Sequence, residues 1–276
     1  MRWHPFLRRL PGARQWIEKI ERLQREGDRL RRKIAQLQSK LDSEPTKLPP
    51  PVPPPPPPRR EDYKAVWQEL ASTETSARLH VGGFEEEAEF ERTGKVTLDQ
   101  LRETVGIKSG DEVVEIGCGL GRVGQQLAPL CARWIGCDVS RHMLALARRR
   151  LATYPNVELH EISGFDLQPL ADESADLVYC TVVFMHLEPW ERYGYVLEAA
   201  RVLRPGGRIF IDNVNLCSDR GWESFEVHRH FPPTQRPAHM TKHSTPDELT
   251  AYVTRAGFRD VRNREWDEWV QVWAVK

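Results

Sequence analysis

The stretch D-E-V-V-E-I-G-C-G-L-G-R, residues 111–122, constrains this chain more than any other. A short apolar run ends in glycines at 117, 119 and 121 and leads into a sequence with helical character. Glycine there lets the backbone turn tightly and approach a ligand without Cβ interference. A second apolar run, W-I-G-C-D-V, carries Asp138 at its end, where a carboxylate can accept both hydroxyls of a ribose. Strand, glycine turn, helix and spaced acid together predict a nucleoside site at the carboxyl edge of a parallel sheet. A dinucleotide fingerprint wants G-x-G-x-x-G, but here the third glycine comes one residue early and Arg122 fills its slot. No G-x-x-x-x-G-K-[ST] phosphate loop occurs. The spacing disfavours a pyrophosphate seat, which leaves a nicotinamide-dependent oxidoreductase as a weaker alternative.

The flanking sequence alternates strand and helix. Strands are expected at 111–117, 134–139, 157–162, 175–184 and 208–215. Two more should close the chain, in F-R-D-V-R-N-R-E-W-D and E-W-V-Q-V-W-A-V. Helices are expected at 120–131, at 140–154 with Ser140 as N-cap, at 190–203 before Pro205-Gly206-Gly207, and from Pro246 to Arg255. The predicted fold is α/β, a mostly parallel seven-stranded sheet with helices on both faces.

Charge divides the chain. Its 40 Lys/Arg balance 40 Asp/Glu overall, but residues 1–44 hold 12 basic and 6 acidic side chains, and residues 59–276 hold 27 and 34. The mildly acidic remainder argues against a phosphate-rich nucleic-acid partner. In the basic segment Trp16, Ile20, Leu23, Gly27, Leu30, Ile34, Leu37 and Leu41 are spaced alternately four and three apart. Ile at a and Leu at d predict a parallel coiled coil that assembles a homo-oligomer through residues 13–41, with Gly27 as its weak point. The alternative is a lone charged helix docked on its own domain. P-P-P-V-P-P-P-P-P-P at 49–58 should form a polyproline II rod of about 30 Å, a spacer rather than a signalling ligand. The expected domains are a coil at 1–44, a linker at 45–60 and a globular part at 61–276. Within the last, 61–110 forms an N-terminal helical cover and 216–244 a substrate lid. No apolar run reaches the roughly 18 residues of a membrane span, and the N-terminus lacks the apolar core of a secretory signal. Five cysteines without a C-x-x-C pair suggest reduced thiols and a cytoplasmic setting.

V-V-E-I-G-C-G-L-G-R-V-G, I-G-C-D-V-S followed by M-L-A-L-A-R, S-A-D-L-V-Y-C-T-V-V-F-M-H-L and R-V-L-R-P-G-G-R-I-F-I-D appear in this order. They resemble the successive motifs of class I S-adenosylmethionine-dependent methyltransferases, whose sheet is Rossmann-like. The resemblance extends over residues 63–276. It implies S-adenosylmethionine as co-substrate and assigns roles to residues. Gly117, Cys118, Gly119 and Gly121 would line the methionine and ribose portion through backbone groups, and Glu115 would orient that loop and reach the amino end. Asp138 would bind the ribose hydroxyls, and Val139 and Met143 would flank the adenine. Gly164 and Phe165 would meet the adenine edge, in a loop where many members carry an acid and this chain has Ser163. Thr181 and Val182 would face the sulfonium, and Arg92, Thr93 and Gly94 would close over the methionine carboxylate.

Methyl transfer is an in-line displacement, and a hydroxyl acceptor needs a base. His186, beyond the fourth strand, titrates near neutrality when unperturbed and is the expected base. His228, His230, His239 and His243 fall in the lid, but no acid or cysteine completes a ligand set, so no metal is expected. No N/D-P-P-Y/F/W sequence follows the fourth strand, which argues against methylation of base amines or protein glutamine. The sequence therefore predicts methylation of a small molecule or glycan, at oxygen. A non-catalytic scaffold with a methyltransferase-like pocket is the alternative.

Overall fold

The computed structural model describes residues 13–43 and 62–276. The chain divides at Pro54/Pro55 into two units, so the N-terminal helix and the globular head are described separately. The proline run at 49–58 lies outside the described residues.

The heptad segment is one helix, α1 (Ala13–Ser43). Four seam residues, Leu23, Leu30, Ile34 and Leu37, are each more than half exposed.

The head opens with three helices, α2 (Asp62–Leu70), α3 (Glu74–Gly82) and α4 (Glu87–Thr104). Strands β1 (Glu112–Ile116), β2 (Arg133–Asp138), β3 (Val157–Glu161), β4 (Ala175–Cys180), β5 (Leu203–Val214), β6 (Arg259–Trp266) and β7 (Trp269–Val275) form one sheet in the order β3-β2-β1-β4-β5-β7-β6. The first five run parallel, and β7 enters antiparallel between β5 and β6. Strand order reverses beside β1, between β2 and β4, and the crevice that opens at such a point is where α/β sheets bind ligands.

Side chains alternate across the sheet. Val114 and Ile116 join the core on one face with Val178, Ile209 and Val272. Val113 joins the other with Leu177, Tyr179 and Phe210. Glu115 and Asp212 therefore project from this second face at the strands' carboxyl ends.

Between strands lie α5 (Gly124–Leu127), α6 (Arg141–Arg150), α7 (Pro189–Val202), α8 (Asp219–Arg229) and α9 (Pro246–Arg255). Ser140 caps α6 as expected, its side chain accepting from the Met143 N–H, and Thr245 caps α9 by accepting from Glu248. Three expectations need correction. The helix expected at 120–131 shrinks to α5 and a 3-10 turn, because Gly121 is committed to the glycine turn and Pro129 lacks a donor. Strand β4 stops at Cys180, and Phe184–His186 form a 3-10 turn instead. Strand β5 begins at Leu203 and runs through Pro205-Gly206-Gly207. Those glycines exchange backbone bonds with Lys276 rather than ending a helix. The segment expected as a lid, 216–244, contains α8.

All five cysteines are free, and only Cys217 is exposed. Among the described residues, no helix is long and apolar enough to cross a membrane.

Candidate active site

The glycine turn is shaped by its backbone. Gly117, Gly119 and Gly121 all have positive φ, which penalises other residues. A Cβ at Gly117 would lie 2.3 Å from Val183 Cγ2, so even alanine cannot be seated without displacing the β4 loop. The turn is pinned to β2 where the Gly117 and Cys118 N–H groups donate to the Cys137 carbonyl at 2.7 and 3.0 Å. Asp138 completes the arrangement. Its carboxylate accepts from the Gly119 N–H and the Ser140 N–H, both at 2.8 Å. Each oxygen keeps a second lone pair for a ligand hydroxyl. Burial pushes this carboxyl up to about 6, against the lowering effect of those amides.

These groups line one cavity at the carboxyl edge of the sheet. Glu115, Gly117, Cys118, Gly119, Asp138, Val139, Met143, Gly164, Thr181, Val182 and His186 all reach its wall. Gly121, Phe165, Arg92, Thr93 and Gly94 do not. Gly121 sits behind the turn, its Cβ position facing Leu151, so its role is conformational. Phe165 is 58% exposed and only its neighbour Gly164 lines the cavity. Arg92 also stays out of the cleft, pairing with Glu89 on the surface of α4.

The sequence reading missed Tyr63, Trp67 and His80, which the cover helices bring to the wall, and Arg122 from the turn itself. Arg122 was visible as the residue displacing a third glycine. The aromatic wall depends on how α2 and α3 pack, which periodicity does not reveal. Trp67 Nε1, Arg122 Nε and Thr181 Oγ1 are buried without a hydrogen-bond partner, although buried polar groups are ordinarily paired. All three residues line the cavity, which therefore offers polar contacts to an occupant.

Glu115 and His186 in the same wall are shifted as well. Burial pushes Glu115 up to about 8, opposed by the hydrogen bond from the Tyr179 hydroxyl, which in turn accepts from Trp134 Nε1. Burial pulls His186 down to about 4. His186 Nδ1 bonds the His239 carbonyl at 2.7 Å, so the ring is neutral with its proton on Nδ1 and its lone pair on Nε2. Among the described residues, no group of three or more His, Cys, Asp or Glu is placed to hold a metal ion.

Residues 114–211 match the family of methyltransferase domains. The methyltransferase GfsG of Streptomyces halstedii is 30% identical over 162 residues, covering 55% of this chain and 56% of that protein. A Mycolicibacterium smegmatis protein described as a probable S-adenosylmethionine-dependent methyltransferase is 32% identical over 178 residues, covering 64% of this chain and 62% of its own length. Residues 114–211 form a methyltransferase domain similar to those of S-adenosylmethionine-dependent relatives. The methyltransferase fold is matched by the DhpI–SAH complex structure at a TM-score of 0.57 and 20% identity, covering 78% of this chain and 95% of that one. The chain spans less than two thirds of the length of these two curated methyltransferase relatives.

Proposed function

We propose that the chain transfers a methyl group from S-adenosylmethionine to an oxygen of a small molecule or glycan. The observation that carries this reading is the glycine turn at 117–119 locked to a ribose-ready carboxylate at Asp138, inside a cleft with three unpartnered polar atoms. Gly117, Cys118 and Gly119 would hold the methionine and ribose portion, with Asp138 on the ribose hydroxyls. Val139, Met143 and the backbone of Gly164 would enclose the adenine, and Thr181 and Val182 the sulfonium side. Arg122 takes over from Arg92 as the cation for the methionine carboxylate, because it lines the cleft with an unpartnered Nε. When bound, S-adenosylmethionine supplies a methyl group already activated by a positively charged sulfur. The protein's share is alignment, exclusion of water and removal of a proton. His186 is the proton acceptor that the sequence suggests, and a rate limb carried by it would fall near pH 4.

Calorimetry with S-adenosylhomocysteine tests the reading. Micromolar binding is expected, and its absence leaves the scaffold reading. The titration should also depend on pH. Burial holds the Glu115 carboxyl up at about 8, with Tyr179, Arg122, Asp138 and Cys118 around it. To pair with the ligand's ammonium it must ionise, so its pKa falls on binding and a proton leaves. Affinity should rise as pH increases from 6 to 8, by up to about tenfold per unit. Glu115→Gln should flatten this slope. An unchanged slope would show that Glu115 does not meet the amino end.

We also infer that α1 pairs with a second copy of itself. Its a/d seam is exposed at Leu23, Leu30, Ile34 and Leu37. In a parallel pair Glu26 at g falls opposite Arg31 at e of the partner helix, which favours that orientation. Deleting residues 1–58 should convert an oligomeric mass in light scattering to a monomeric one, with the proline run acting as spacer. A monomeric full-length chain would end this inference.

A further inference from the structure

A second cavity adjoins the cofactor cleft over the carboxyl end of β5 and the amino end of β7. The two share the walls His80, Val81, Arg122, Val182 and His186. The cavity beneath α8 shares only Tyr63 and His186 with the cleft, so the one over β5 and β7 is the better route to the Val182 side. Asp212 and Gln271 lie at its floor as Cα partners on adjacent antiparallel strands, which sets their side chains next to each other on one face. Asp212 accepts the Val182 N–H at 2.8 Å and so holds a β-branched residue at φ 61, a strained conformation, at the junction of the two cavities. Gln271 is fully buried, with its Oε1 accepting from Arg264 Nε at 2.8 Å and its Nε2 without a partner. One face thus sets a carboxylate acceptor beside an unused amide donor. Trp266, 41% exposed, and Trp269 stand at the rim on the β6–β7 turn. An acceptor oxygen beside a donor nitrogen, with aromatic walls, fits a ring carrying neighbouring hydroxyls and an apolar C–H face.

Resting on the methyltransferase reading, we propose that this chamber takes a pyranoside and that Asp212, rather than His186, accepts the proton of the sugar hydroxyl being methylated. The hydroxyl oxygen forms the new C–O bond as the donor's C–S bond breaks with its electron pair passing to sulfur. The hydroxyl proton goes to the Asp212 carboxylate. The products are a methyl ether, neutral S-adenosylhomocysteine and a protonated Asp212 that returns its proton to water. Arg122 from the glycine turn and Cys180 on β4 act on Asp212 directly, and Arg92 from α4, His80 from α3 and His186 after β4 line the same chamber. Arg220 from α8 and Asp267 and Glu268 from the β6–β7 turn complete the set. Burial pushes Asp212 up to about 7, opposed by the Val182 N–H and Arg122, which places it near the operating pH of an efficient base.

The experiment uses the full chain in three steps. Asp212→Asn, which keeps an oxygen for the Val182 N–H, should bind S-adenosylhomocysteine within about threefold of wild type. If wild type itself does not bind, the methyltransferase reading fails, not this assignment alone. Next, methyl gluco-, galacto-, manno- and rhamnopyranosides are titrated into the S-adenosylhomocysteine complex and followed by tryptophan fluorescence. At least one should saturate, and Gln271→Leu should weaken it about tenfold. Saturation by none overturns the pyranoside assignment. Finally, methyl transfer to the bound pyranoside should fall about 10²–10⁴-fold in Asp212→Asn, and the wild-type acid limb should lie near pH 7. Transfer within about fivefold of wild type, or a limb near pH 4 that vanishes in His186→Gln, would overturn the role of Asp212.

Discussion

Asp138→Ala should weaken S-adenosylhomocysteine binding at least about 100-fold in calorimetry. Two ribose hydroxyls donating to one carboxylate are hydrogen bonds to a charged group, each worth about 1.5–3 kcal/mol, and about 2.7 kcal/mol already corresponds to 100-fold. The substitution also strands the Gly119 and Ser140 N–H groups, which lose their 2.8 Å acceptor, so the turn itself loosens. Stability should change far less. The raised pKa of Asp138 shows that its buried charge costs the empty fold something, and removing the charge offsets part of the cost of the two stranded donors. A variant that melts near wild type yet does not bind is the expected pattern. Binding within about threefold of wild type would remove Asp138 from the ribose contact.

Arg192→Leu should produce the largest stability loss. Arg192 is 1% exposed, and its guanidinium donates to the Phe184 and Lys242 carbonyls, to Ser244 Oγ and to Glu248 Oε1. It ties α7 to the 3-10 turn bearing His186, to the end of the 216–244 segment and to α9. Removing one partner of a buried ion pair costs about 3–5 kcal/mol, because the other is left unpaired. A fall of about 10 °C in melting temperature follows for a domain of this size. Glu248→Gln, on the more exposed side of the pair, should cost less. A change under about 2 °C in Arg192→Leu would mean that the segment is held by other contacts.

The sequence carried the parts of this structure that depend on local chemistry. The glycine turn, Asp138 at the end of β2 and the Ser140 cap each follow from residue type and spacing. So do Gly164, Thr181 and Val182, once strands are assigned. Gly121 and Phe165 were misplaced for a different reason: spacing says which loop a residue belongs to, not which way it faces. Gly121 serves Leu151 behind the turn, and Phe165 turns outward. The chamber over β5 and β7 was not legible. Asp212 and Gln271 are 59 positions apart, and only the antiparallel register of β7 makes them neighbours. Trp67 and His80 reach the cleft through packing of the cover helices, which no periodicity reports. Strand β5 ran past its expected start because a Pro-Gly-Gly that reads as a break is here stitched to Lys276.

The unpartnered atoms of Trp67, Arg122 and Thr181 and the raised carboxyls of Glu115 and Asp138 are buried polar groups whose cost the fold carries until a ligand pairs with them. A folded acid with a raised pKa contributes stability below its unfolded value and loses that contribution as pH climbs through the folded one. Here the loss is spread between about pH 4 and pH 8. Donor binding reverses it, by about 2.7 kcal/mol at a hundred times the dissociation constant. The melting temperature of the chain should therefore climb with donor concentration.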